Sequence, residues 1–228
     1  MVWVNRTPKV VRANRRSEDS RDTRTAHHGW FFHARTGEMI PYKKKLAADF
    51  LLVTAIDPDV LKFSTKPEPL QWWNGSTWET YRPRYAIHRA GQPAGVVDVV
   101  VDVEVLHGFE YAQNRLMYER LKRDAESKSR RFAVYTEKEI MAEPRYTNAL
   151  RIFAHAAPRT VPEDDVEAVR AFADANPLFT LDGVIASIGL DFERAYSAVL
   201  NLVALGALAI DSSIPFDRRA PIRGRIRR

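Results

Sequence analysis

Val96-Val97-Asp98-Val99-Val100-Val101-Asp102-Val103-Glu104-Val105 is the most apolar stretch of the chain, and its reading decides the fold class. β-branched side chains lose rotamer freedom in a helix and pack well on a pleated surface. Apolar residues on both alternating sets near Val99 to Val101 predict burial on both faces, the signature of a central strand. Downstream, Glu110 to Ser129 carries helical spacing through Tyr111, Leu116, Met117 and Leu121, and Arg131 to Thr136 reads as another strand. Strand, helix, strand predicts a right-handed crossover that sets Arg131 to Thr136 parallel to the valine strand.

Upstream, the turn Gly91 to Gly95 is preceded by a run of short strands: Val60 to Ser64, Leu70 to Trp73, and Trp78 to Arg89 behind an Asn74-Gly75 hairpin dipeptide. They predict an antiparallel meander. Before them Lys45 to Ile56 places Leu46, Phe50, Leu51 and Val53 largely on one helical face, and Asp57-Pro58 stops it. The expected fold class is α+β, a mixed β-sheet flanked by helices over residues 37–157.

Pro158 and Pro162 bracket a polar stretch that marks a boundary, with a second domain expected over 158–216. It reads as helices at Asp164 to Asn176, Leu181 to Ile188 and Asp191 to Leu205, the last N-capped by Asp191. Gly206 ends that helix and Ala207 to Asp211 resumes as a strand, an order resembling a winged helix-turn-helix with its third helix in the recognition position. Phe192, Tyr196, Val199, Leu200 and Val203 are its expected core face, leaving Glu193, Arg194, Ser197 and Asn201 exposed. Arg194 and Asn201 are of the types that read base edges, but the helix is poor in phosphate-binding residues, so a protein-contact role stands beside the DNA reading.

The 228 residues include 35 Lys and Arg against 29 Asp and Glu, a formal charge of +6. Phosphate contacts release counterions, so DNA is the expected partner. Many of the arginines sit at the ends, Arg6 to Arg24 in a basic arm expected over 1–36, and Arg218, Arg219, Arg223 and Arg225 in a tail expected over 217–228. Such polar segments predict arms ordered only by a partner. The chain has no cysteine, which excludes disulfides, thiolate metal sites and a cysteine nucleophile. No apolar run has membrane-spanning length and the N-terminus is polar, so a cytoplasmic protein with no membrane partner is expected.

Leu46 to Leu51, then Asp57-Pro58-Asp59-Val60, then Tyr81-Arg82-Pro83-Arg84-Tyr85, then Val97 to Val100, and finally Arg131 to Ile140 form an ordered framework. It resembles the TnsA-like family of restriction-endonuclease-fold proteins over about Pro41 to Phe153. The resemblance implies a Mg²⁺ nuclease with carboxylate ligands from a helix glutamate, a Pro-Asp pair and the glutamate of a Glu-x-Lys, whose lysine lies near the attacking water, acting beside a transposase-like partner in a mobile element or phage. The departures fall on the chemistry: Ala47, Arg84 and Val100 stand at three of those positions, and Asp98 is a shortened stand-in for the fourth. Alanine and valine cannot ligate a hard cation, and an arginine opposes one. The expectation is therefore a non-catalytic DNA-binding accessory or regulatory protein on an inactivated nuclease domain, with no catalytic residue, metal or cofactor. Two alternatives stand: a Mg-dependent endonuclease with migrated ligands, or a protein-binding scaffold.

Asp98, Asp102 and Glu104 lie at even spacing and so on one face of a regular strand, either as such a displaced cluster or as an acidic stripe at the strand's exit. Lys43, Lys44 and Lys45 with Arg82, Arg84 and Arg89 read either as a phosphate track along the former active-site cleft or as solvated charge. His27, His28 and His33 lack a completing acidic ligand. Trp72, Trp73 and Trp78 flank a hairpin turn, where cross-strand packing outweighs base stacking as the explanation.

Overall fold

The computed structural model describes residues 28–92, 98–104, 108–157 and 161–224. It is mixed α+β. β1 (His28–His33) and β2 (Glu38–Lys43) form an antiparallel hairpin, with Gly37 at φ 70° in its turn. Alternation turns Phe31, His33 and Ile40 inward, all buried. The residues from His28 to Thr36 are therefore fold and not arm, which corrects the expected boundary. Arg35 in particular is a clamp: its guanidinium donates to the carbonyls of Asp57 at 2.8 Å and Val60 at 2.6 Å. It also lies so close to Gly206 that a Cβ there would meet Arg35 Nε at 2.7 Å.

α1 (Lys45–Ala55) follows, then β3 (Val60–Ser64), β4 (Leu70–Trp73), β5 (Trp78–Tyr81), β6 (Tyr85–Arg89) and β7 (Asp98–Glu104). The expected meander is not formed. Pro83 has no N–H to donate and biases Arg82 away from helix, and the chain breaks there into two strands belonging to different sheets. β4 and β5 close a separate hairpin, while β6 pairs with β3. α2 (Gly108–Ser127) leads to β8 (Arg131–Thr136), which lies parallel to β7 as the crossover reading requires. The sheet order β3-β6-β7-β8 makes β7 an interior strand.

The two faces of this sheet have different covers. Phe50 of α1 stacks on Tyr85 at 5.9 Å and packs on Tyr135 at 4.8 Å. On the other face Phe132 and Val134 pack with Tyr118, Leu121 and Ala125 of α2, and Leu70 and Tyr81 of the inserted hairpin join them. The hairpin is tied to α2 by the Gln71 N–H, which donates to Asp124 at 2.9 Å. Trp73 and Trp78 face each other across it in an edge-on pair 5.8 Å apart.

α3 (Glu137–Ile140) opens on a capping box between Thr136 and Glu139, and α4 (Arg145–Ala154) follows. The C-terminal part comprises α5 (Glu163–Ala175), β9 (Leu178–Phe179), α6 (Leu181–Ile188), α7 (Phe192–Ala204), β10 (Leu208–Ile210) and β11 (Ile222–Gly224). Thr180 and Asp191 cap α6 and α7, each accepting an N–H from the first turn. β11 lies between β9 and β10. Residues 217–224 are accordingly no free tail: Ala220 and Ile222 are buried, and β11 is the middle strand of its sheet. The isoleucine at 222, alone among arginines, outweighs the polar composition around it.

The expected boundary near residue 158 does not divide two cores. One cluster of buried residues runs from Phe31 and Phe50 through Ala149 and Ile152 of α4 to Val199, Leu202 and Ile222. Among the described residues no helix is long and apolar enough to cross a membrane.

Candidate functional site

Of the framework positions, Ala47 and Arg84 have surroundings that can be described, while Asp98 and Val100 are placed by backbone register in β7. Ala47 is buried in the first turn of α1. Two residues on, Asp49 is also buried, held by Lys45 Nζ at 2.8 Å and by the Tyr146 hydroxyl, which donates at 3.0 Å. Its hydrogen bond and charge raise the Lys45 pKa, so this lysine stays protonated and is partnered within the protein. Lys44 precedes the helix at φ 75° and is exposed.

Arg84 and Lys43 are brought together. Both line a cleft of about 430 Å³ whose other walls are His28, Gly29, Trp30, Pro41, Tyr42, Thr65 and Tyr85. Tyr85 forms its floor: the hydroxyl donates to the Pro41 carbonyl at 3.0 Å, tying β6 to β2. Burial raises the pKa of this phenol against the opposing pull of the Arg84 charge, so it remains neutral. Tyr42 lies over Gly29, where a Cβ would sit 2.4 Å from the tyrosine hydroxyl; glycine makes the close approach possible. Trp30 stands at the rim, 64% exposed.

Arg82 is exposed but does not line this cleft. Arg89 belongs elsewhere: it pairs with Asp57 at 2.6 Å and borders a second cavity of about 370 Å³ with Asp59, Gln92, Arg131 and Tyr135. Of the six cationic positions read from sequence, only Lys43 and Arg84 line one cleft; Lys44 and Arg82 are exposed outside it.

The carboxylate positions of β7 are separated by an irregularity of the strand. Asp98 is in register with Arg131 and Val100 with Ala133, but Asp102 is in register with Val134 and Glu104 with Thr136. The extra residue between Val100 and Asp102 is a bulge, which shifts the alternation by one. Even spacing in sequence therefore does not carry over into a regular register with β8: the shift separates Asp98 from Asp102 and Glu104 along the strand pair.

His33 is buried, its Nδ1 2.9 Å from the Thr36 hydroxyl and its ring edge-on to Phe63. Burial, aided by the Arg35 charge, lowers its pKa to about 4, so it is a neutral core residue at pH 7. His28 lies in β1 apart from it, and His27 is outside the described residues. Among the described residues no group of three or more His, Asp or Glu is placed to hold a metal ion.

In the C-terminal part, the expectation that Asn201 is exposed is overturned. It is buried, and its amide donates to the His155 carbonyl at 2.7 Å. The physical reason is α4, which the sequence reading did not place: it packs on α7 and covers the flank that a lone three-helix unit would present. Asn148 of α4 donates to the Ile214 carbonyl at 2.8 Å, and Arg151 donates to that of Phe216. Phe192 and Tyr196, expected in the core, are only partly buried, while Ala195, Ala198 and Leu202 are buried.

Arg194 is more than half exposed but held by Asp165 in a two-pronged pair, Nε to Oδ2 at 3.0 Å and Nη2 to Oδ1 at 2.5 Å. Asp165 is itself buried, so this arginine neutralises an interior charge. Arg218 lies over the Phe192 ring at 4.7 Å and within 3.5 Å of Asp182. Arg219 and Arg223 are exposed, the latter on β11, and Arg225 lies outside the described residues.

Sequence reasoning missed Trp30 because it assigned residues before 37 to an arm, and Tyr42 because its place in the cleft depends on the hairpin partner Gly29 within that supposed arm. The signal was present in the alternation of Trp30, Phe31, Phe32 and His33 ahead of Thr36-Gly37. The chain matches no family model and no curated protein.

Proposed function

We propose that the chain is a non-catalytic DNA-binding accessory protein whose nuclease-like framework has exchanged its metal site for a cationic cleft. The observation that carries this reading is the shared cleft of Arg84 and Lys43 between the β1–β2 hairpin and the start of β6. Arg84 stands where the TnsA-like resemblance implies a carboxylate. Two cations there repel Mg²⁺ and attract phosphate by the same Coulomb term. The bulge in β7 weighs against migrated ligands, since Asp98 is set apart from Asp102 and Glu104.

The order α5, β9, α6, α7, β10, β11, with β11 central, resembles a winged helix. We read it as one turned inward: α7 is taken up by α4, Asp165 and the core, so this half braces the first and does not read base edges. A transposase-like partner and a mobile-element or phage context follow from the resemblance, and a cytoplasmic setting from the polar N-terminus and the lack of a long apolar run in the sequence.

Mobility shift with and without Mg²⁺, beside a plasmid-nicking assay with Mg²⁺ or Mn²⁺, tests the proposal. Binding without metal, weakened in the Lys43→Ala and Arg84→Ala variants, and no nicking are expected. Nicking by the wild type that Asp98→Ala abolishes would establish an endonuclease instead. Absence of binding to any DNA would remove the DNA reading and leave the protein-binding scaffold.

A further inference from the structure

The size and lining of the Lys43 and Arg84 cleft specify which form of DNA it takes. At about 430 Å³ it has the dimensions of a small-ligand pocket, roughly 300–1,000 Å³. It is far too small to admit a duplex, whose major groove alone is wide enough to take in an α-helix. One nucleotide fits.

The lining divides that nucleotide into its parts. Trp30 presents a ring at the rim on a strand whose backbone is fixed by pairing with β2, opposite Pro41. An indole held in this way is a stacking platform with little ordering cost, because its strand is already in place. Lys43 extends from the end of β2 and Arg84 borders the same space from the turn before β6, placing two positive charges where a phosphate carries its negative charge. The floor offers a neutral Tyr85 whose hydroxyl proton is already committed to Pro41, so an apolar base face entering beside it strips no hydrogen bond from water.

Bases within a duplex have both faces covered by their neighbours, and a tryptophan reaches a face only where the stack ends or is absent. We infer that the cleft binds an unpaired nucleotide of single-stranded DNA, its base stacked on Trp30 and its phosphate held by Lys43 and Arg84. This rests on the DNA-binding reading above and adds strand state to it.

Fluorescence anisotropy of the full-length protein with three labelled probes tests the assignment: an oligo-dT single strand, a duplex with an oligo-dT tail, and a blunt duplex. The Trp30→Ala variant is expected to lose roughly tenfold in affinity for oligo-dT, the scale of one lost base stack. Trp30→Phe should retain most of it. Binding of the blunt duplex should be unchanged in both. Lys43→Ala should instead lower the salt slope on oligo-dT by about 0.7, one phosphate contact fewer, which Trp30→Ala should not do. Wild-type binding of the blunt duplex, with oligo-dT binding absent or unaffected by Trp30→Ala, would overturn the inference and leave the proposed function standing. Failure to bind all three probes would overturn both. Because Trp30 is largely exposed, a urea midpoint equal to wild type is expected for each Trp30 variant, and this excludes unfolding as the cause of any loss.

Discussion

Ile222 and Arg223 are neighbours on one short strand with opposite fates, and substituting each to alanine separates the two readings of the C-terminal segment. Ile222 is fully buried in the middle strand of its sheet, in register with Ile210 on one side and Phe179 on the other. Truncating a buried isoleucine to alanine removes its transfer free energy and leaves a cavity, together about 2–5 kcal/mol. The backbone on both sides is pinned by pairing, so collapse around the void is limited, and a value in the upper half of that range is expected. Arg223 is exposed, and Arg223→Ala should stay within about 0.5 kcal/mol. Urea unfolding followed by far-UV circular dichroism measures both. If Ile222→Ala left the midpoint unchanged, β11 would contribute nothing to the fold, and residues from 217 onward would be the solvated tail that their composition suggests. Truncation after Phe216 is correspondingly no test of DNA affinity, since it removes a core strand along with the arginines.

His33 makes stability depend on pH. Its folded pKa of about 4 lies below the ordinary 6.5, so both states are neutral above pH 6.5 and the unfolded state takes up a proton first as pH falls. Stability should drop by about 3 kcal/mol between pH 6.5 and 4, and His33→Asn, which keeps a partner for Thr36, should lack that loss in urea titrations. Equal pH slopes for the two proteins would show that His33 is not buried neutral. Arg194→Ala should lower the urea midpoint clearly more than Glu193→Ala, because it leaves the Asp165 carboxylate buried without its counter-charge; equal midpoints would return Arg194 to the surface.

The interior of the first half was legible because its residues announce one period each. The valine run has two-sided burial in its composition, and β3, β4, β8 and α6 begin and end where their turn residues say. What was not legible depended on partners remote in sequence. Pro83 broke an apparently continuous strand, yet which sheet each piece joined was decided by α2, whose Asp124 holds β4. Asn201 reads as exposed on a helical wheel of α7 alone, and only the packing of α4, which lies well upstream in the sequence, covers it. The bulge in β7 leaves no mark in a row of valines, since an inserted valine resembles its neighbours. Of the candidate site, Arg84 and Lys43 were found from charge and resemblance. Trp30 was lost because a basic neighbourhood disguised a hairpin.

A core running unbroken from Phe31 to Ile222 makes the chain a single thermodynamic party to whatever occupies the cleft. A ligand that binds only the folded state raises its stability by RT ln(1 + [L]/Kd), and because this cluster joins the two halves of the chain that gain is not confined to the strands the ligand touches. Protection from proteolysis should then spread to α5 and α6, on elements that do not line the cleft, and a protease cutting beyond residue 161 would report occupancy of a cleft formed far away in the sequence.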